Sequence, residues 1–240
     1  CFMSAFLYTI ALQWKLDIRS RSMLITCYVV PLLFFAIMGG IFTSVNPAAE
    51  KTLVQSMTIM GVSMGSMIGL PPTLNEVYAS DIKKMYQANG VPLYLGLISI
   101  FLSAFIHLII MSTIILFIAP IAFKASVPDN LPSYFGGLTV FIAASLSVGC
   151  VLGLVLKGQA KLTMLSQIVF LPSIMLSGIM FPAQMLPQFL EAIGMAFPAT
   201  WGFRLLTEGS FSLINFWPLA LTFILCLVLC FAALKSKGKA

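Results

Sequence analysis

The sequence predicts an all-α integral membrane protein: six transmembrane helices, an N-terminal interfacial amphipathic helix, and re-entrant helices before the last span. Three observations predict it. Of the 240 residues, 60% are hydrophobic and only 8% are charged, with a mean hydropathy of +1.05. Soluble domains carry about 25% charged residues, so this chain cannot cover a water-facing surface. The apolar residues also come as long runs, not as short alternating segments, and in lipid a helix satisfies its own backbone. Lastly, the basic residues collect at the ends of alternate runs.

The elements follow in order. Residues 1 to 20 hold an apolar stretch too short for a core of about 30 Å. The stretch ends in Trp14, Lys15, Asp17, Arg19 and Arg21, a pattern that suits a helix lying in the interface. A signal peptide fails as a reading because the basic cluster follows the first apolar stretch and further spans come after it. Spans are expected at 23–43, with a kink at Pro31, and at 53–73, closing on Pro71-Pro72. The others are expected at 91–118, 134–156, 164–180 and 216–234. All lie in a single transmembrane domain, 1–240. The chain begins at Cys1 rather than Met, so a few residues are expected upstream.

Charge orients the helices. With the N-terminus inside, Lys15, Arg19, Arg21, Lys83, Lys84, Lys157, Lys161, Lys235, Lys237 and Lys239 are cytoplasmic, while Lys51, Lys124 and Arg204 are outside. The seven acidic residues show no such bias, as expected of a rule that concerns Lys and Arg. Both termini are therefore expected on the cytoplasmic face of the inner (plasma) membrane.

Several functions are disfavoured. The net charge of +6 is explained by topology, and no basic run alternates with exposed aromatics, so nucleic acid is not an expected partner. Five cysteines without a CxxC suit packing better than a disulfide framework or metal site. No GxxxxGK[ST] loop occurs, so the chain is not expected to bind ATP. His107, the only histidine, lies midway along the third span. A neutral imidazole bonding a neighbouring serine explains it; a proton or ion role is the sharper alternative.

Three stretches carry candidate function. In GVSMGSMIG, Gly61, Gly65 and Gly69 form a small-residue stripe at four-residue spacing. It suits either packing within one subunit or the lining of an interface or translocation path. Between the second and third spans, Asp81, Ile82, Lys83, Lys84, Met85 and Tyr86 suit a short amphipathic helix. That helix either docks into a partner's groove or lies as a solvated interfacial turn. In FLPSIMLSGIMFPAQMLPQFLEAIGMAFPATWGFR, Pro172, Pro182, Pro187 and Pro198 break a continuous helix, and Ser177-Gly178 adds a flexible point. Broken helices at membrane depth need burial in protein or a cavity, which predicts re-entrant or interfacial helices on the outer side.

The order Ser177-Gly178, Phe181-Pro182, Met185-Leu186-Pro187 and Pro198 resembles the signature of the ABC-2 type permeases, and IKKMYQANGVPLY resembles that family's cytoplasmic segment. EVYASDI departs from the acidic run ending in Gly-Thr that the family often places there. The resemblance implies a permease moving an amphipathic drug, peptide or lipid-like molecule outward by alternating access, as in multidrug efflux. It implies a homodimer or heterodimer on ABC ATPase subunits, which use the ATP and Mg; this chain would bind no cofactor and catalyse nothing. It implies that Asp81 to Tyr86 is the coupling helix and that the second and fifth spans face the path. An ATP-independent ion-coupled carrier or channel is the alternative function.

Overall fold

A computed structural model describes residues 2–45, 50–79, 88, 92–156, 158–180, 185–208 and 212–239. The first helix, α1, is Phe2–Arg19. Next, α2 runs continuously over 21–45, with a π turn at Ile25–Val29. The following helix, α3, covers 53–79, with a π turn at Gly65–Gly69. Then come α4 at Leu93–Phe123, α5 at Leu131–Val155 and α6 at Gln159–Met175. The short helices α7, Gln188–Gly194, and α8, Pro198–Thr207, precede α9, Leu213–Lys239.

Both π turns end two residues before a proline, Val29 before Pro31 and Gly69 before Pro71. A proline inside a helix lacks an N–H and presses on the carbonyl four residues back. A π turn widens the helix at that place and absorbs the conflict. This is why α3 does not close at Pro71-Pro72 as the sequence suggests but continues through both prolines to Ala79. Likewise α4 passes Pro120 and ends at Phe123, where Lys124, at φ 53°, donates its N–H to the carbonyls of Ala119 and Pro120.

Among the described residues, five helices are long and apolar enough to cross a membrane: Ile25–Ser44, Leu53–Tyr78, Leu93–Phe123, Leu131–Val155 and Leu213–Ser236. The fifth expected span, 164–180, differs. Its helix is α6, which starts earlier, at Gln159, and has 17 residues. At about 1.5 Å per residue it rises about 25 Å, less than the roughly 30 Å of a hydrocarbon core.

The bundle forms around α3, which packs against α2, α4, α5, α6 and α8. Most of it is enclosed (89% of its apolar window), whereas the windows of α2 and α9 are 22% buried. Ile25, Val29, Leu33 and Ile37 of α2 and Leu225, Val228 and Phe231 of α9 stay exposed, as faces turned to lipid do. Glycines let α3 sit this deep. A Cβ on Gly61 would lie 2.7 Å from Met111 Cε of α4, and one on Gly65 would lie 2.5 Å from Leu108 Cδ2. One on Gly69 would lie 3.2 Å from Thr26 Cγ2 of α2. On the opposite side, a Cβ on Gly149 of α5 would run into the Ser66 carbonyl oxygen, and one on Gly153 would lie 2.9 Å from the Pro71 carbonyl oxygen.

Connections gather at the two ends of the bundle. At one end, the Ser126 N–H donates to Glu50 O at 3.0 Å. At the other, Asn75 Nδ2 donates to Leu156 O at 2.6 Å and the Tyr78 hydroxyl donates to Leu93 O at 2.5 Å.

These contacts rank substitutions. Gly149→Ala meets backbone that cannot swing away, so it is expected to destabilise the bundle by about 1–3 kcal/mol. Gly65→Ala meets only the end of Leu108, a side chain that can rotate, and should cost less. Gly136→Ala, with open space around it, should cost least. Thermal unfolding of the purified chain checks the order, and equal melting of all three overturns it.

Candidate functional site

Two places gather the polar groups of this apolar chain. The first is a cavity of about 730 Å³ at the Thr52 end, bounded by Thr52, Ser177, Gly178, Glu191, Phe203, Arg204, Thr207, Glu208, Ser212, Ile214 and Asn215. Its floor is the end of α6. There the Ser177 hydroxyl donates to Ile174 O at 2.8 Å, and Gly178, at φ 88°, turns the chain in the left-handed region that suits glycine after a helix.

The cavity wall is the α7–α8 pair. Gly194 ends α7 against α6, and a Cβ there would lie 2.6 Å from Leu176 O. The break before Pro198 is tied by Thr200 Oγ1 donating to Gly194 O at 2.6 Å and Trp201 Nε1 donating to Met195 O at 2.7 Å. Arg204 lies 3.6 Å from Glu191, with its guanidinium 5.3 Å from the centre of the Trp201 ring. The buried face of α8 (Ala199, Gly202, Leu205, Leu206) packs on Gly137 and Phe141 of α5. The cavity therefore has one cation and two carboxylates among hydroxyl and amide groups, with Phe203 and Ile214 as its apolar side chains.

The second place joins α1, α2 and α4. Asp17 is 5% exposed. Its carboxylate accepts from Gln13 Nε2 at 2.9 Å and from the Ser103 hydroxyl at 2.5 Å. Trp14 stacks on His107 with ring centroids 4.2 Å apart and planes 14° apart. The Tyr28 hydroxyl lies 2.7 Å from His107 Nδ1, and His107 Nε2 has no partner among the described residues. Two helix faces produce this meeting: Gln13, Trp14 and Asp17 on α1, and Ser103 and His107, four residues apart, on α4. His107 lies midway along α4, as the sequence suggests, and there meets Tyr28 from the first turn of the apolar window of α2.

The residues singled out from sequence are placed as follows. Gly61, Gly65 and Gly69 pack within the chain against α4 and α2. Ser177 and Gly178 line the cavity. Met185 is 75% exposed, Pro187 precedes α7 and Pro198 begins α8. Pro182 and the whole of Asp81, Ile82, Lys83, Lys84, Met85 and Tyr86 lie outside the described residues. His107 pairs with Tyr28, not with a serine. Sequence reading missed Asp17 as a buried acid. It also missed the Gly149-x-x-x-Gly153 stripe, whose spacing was visible in SVGCVLGLV.

The histidine contact predicts a stability effect. Tyr28→Phe leaves a second ring nitrogen unpaired and should cost about 1–3 kcal/mol, whereas Trp14→Phe keeps a stacked ring and should cost less. Thermal unfolding in lipid nanodiscs reads both, and a Tyr28→Phe variant as stable as the parent overturns the contact.

No curated protein matches the chain. The family model for the ABC-2 type transporter matches residues 4–211, from α1 through α8. That span holds four of the five long apolar helices found among the described residues, the cavity lining other than Ser212, Ile214 and Asn215, and the buried Asp17 cluster. The chain thus belongs to the ABC-2 type transporter family and is a multi-pass transmembrane permease of an ABC-type transporter, a family that generally pairs with ABC ATPase subunits.

Proposed function

We propose that this permease exports an amphipathic substrate, a drug, peptide or lipid-like molecule, by alternating access, driven by separate ATPase subunits that use ATP and Mg. The observation that carries the reading is a family match over residues 4–211 in a chain with no GxxxxGK[ST] phosphate loop of its own. The family's general pairing with ABC ATPase subunits supports a companion protein as the source of energy.

The Asp81 to Tyr86 segment is the proposed coupling helix. Its flanks support that role: the Tyr78 hydroxyl on Leu93 O ties the end of α3 to the start of α4, so a push on 80–91 reaches the two helices together. The chain acts as one domain, 1–240, in a homodimer or heterodimer, with spans α3 and α6 toward the path.

Six crossings are proposed, with both termini at the cytoplasmic face of the plasma membrane. Supporting this, α6 begins three residues after Leu156, which Asn75 caps at one end of the bundle. Just past its end, Ser177 and Gly178 lie in the cavity shared with Thr52 and Ser212 at the other end. The turn at 176–178 extends its 17 residues toward the outer surface, and α7 and α8 are then the re-entrant pair. Trp217, 58% exposed near the start of α9, suits an interfacial anchor.

Two experiments test the reading. The charge reversals Lys83→Glu and Lys84→Glu combined with Ile82→Asp should abolish pull-down of the ATPase and ATP-driven transport in liposomes. Intact coupling in that variant sinks the assignment, and transport by the chain alone without ATPase establishes a carrier instead. For topology, Thr52→Cys and Ser212→Cys in a cysteine-free background should react with an impermeant maleimide on intact cells. Ser236→Cys should react only after permeabilisation, and the reverse pattern inverts the orientation.

A further inference from the structure

We propose that a pocket between the starts of α3 and α5 binds a phosphoethanolamine group, a phosphate anion joined to a primary ammonium. The pocket measures about 280 Å³ and is distinct from the cavity under α7 and α8, with Thr207 of α8 bordering both. Its polar lining includes Lys51 and Gln55 at the start of α3 and Asp129, Asn130 and Ser133 at the start of α5. Leu205 and Leu206, both buried, close it from α8.

Most of the walls are already bonded. The Ser126 N–H on Glu50 O at 3.0 Å ties the loop after α4 to the approach to α3. Asn130 accepts from the Ser133 N–H at 3.1 Å and so caps α5. The Tyr134 hydroxyl, another lining group, lies 2.9 Å from that of Thr58. Gln55 differs. It is 7% exposed, and its Oε1 is buried without a partner among the described residues. A buried amide oxygen with nothing to accept from is costly, and this one belongs to a side chain that borders an open volume.

The lining fixes the chemistry of the guest. Gln55 Oε1 calls for an N–H or O–H donor. Lys51 and Asp129 place opposite charges around one small pocket, yet they form no ion pair with each other, which leaves room for a guest carrying both signs. The start of α3 adds partial positive charge, because Thr52 makes no side-chain bond to the first turn and the N–H groups there lack a cap. An anion is favoured at Lys51 and the α3 terminus, and a cation with N–H donors at Gln55 and Asp129. The apolar windows Leu53–Tyr78 and Leu131–Val155 both begin beside this pocket, so it lies where spans leave hydrocarbon for headgroups. A phosphate joined to a primary ammonium meets each demand at that depth. A quaternary ammonium carries the charge but has no N–H, and leaves Gln55 unmet.

Native mass spectrometry of the full chain released from detergent micelles tests this, with dihexanoyl phosphatidylethanolamine and dihexanoyl phosphatidylcholine as probes. The parent chain is expected to bind the ethanolamine lipid about tenfold more tightly, the discrimination of one hydrogen bond to a charged group. Gln55→Leu should bring the two lipids to equal affinity. Lys51→Gln and Asp129→Asn, both at exposed side chains, should each weaken both lipids, because both carry a phosphate and an ammonium. Displacement by free phosphoethanolamine supports the site with a soluble source for its guest, and displacement by lipid alone supports it with a membrane source. Equal affinity of the two lipids in the parent overturns the proposal, since water then suffices for Gln55. A Gln55→Leu chain that melts like the parent and keeps the preference also overturns it. Should Gln55→Leu fail to fold, the parent's preference and its weakening in Lys51→Gln decide. The readout needs neither ATPase nor export, so its failure is separate from failure of the exporter reading.

Discussion

The structure depends on the close crossing of α3 and α5. In lipid, apolar side chains gain little by leaving one oily surface for another, so helices associate through van der Waals contact and buried polar bonds. That contact is short-ranged and requires backbones to come near. Gly149 and Gly153 open α5 where the Ser66 and Pro71 carbonyls of α3 lie. The π turn at Gly65–Gly69 sits at the same crossing, so the widened segment is the one received by the glycine notch. With α5 on that side and Met111, Leu108 and Thr26 over Gly61, Gly65 and Gly69 on the others, α3 becomes the axis of the bundle.

An axis held this way carries force along its length. Its Thr52 end borders the cavity under α7 and α8. Its Asn75 end is bonded to the end of α5 and, through Tyr78, to the start of α4. Side chains packed to crystal-like density leave little room for one helix to slip locally, so displacement at one end is transmitted to the other as a rigid shift. That property would serve the alternating access proposed above, in which energy enters on one side of the membrane and substrate leaves on the other.

Membrane insertion, helix order and the positions of most spans were legible in the sequence, because each rests on a sum over about twenty residues in which single errors cancel. What escaped reading was local. Pro71-Pro72 looked like an end because proline usually ends helices; whether a π turn absorbs it depends on what packs alongside. The 164–180 span looked long enough because apolar residues continue past Met175, but the chain turns at Ser177 and Gly178. The 170–204 stretch announced its breaks through Pro187 and Pro198, while the cavity beside them comes from the fold of α7–α8 over α6, which no single segment encodes.

Asp17 is the sharpest instance. In sequence it sits between Lys15 and Arg19 and reads as one more charge on a wet helix face. On the helix those neighbours point elsewhere, and Asp17 shares a face with Gln13 and Trp14, one or two side chains wide. Across from it, Ser103 and His107 are four residues apart inside a strongly apolar run. Neither face is unusual alone; together they bury an acid, a base and their donors in a chain with 20 charged residues out of 240. Burying an acid at a joint is costly in lipid, and a purely apolar contact would hold α1 to α4 at lower cost.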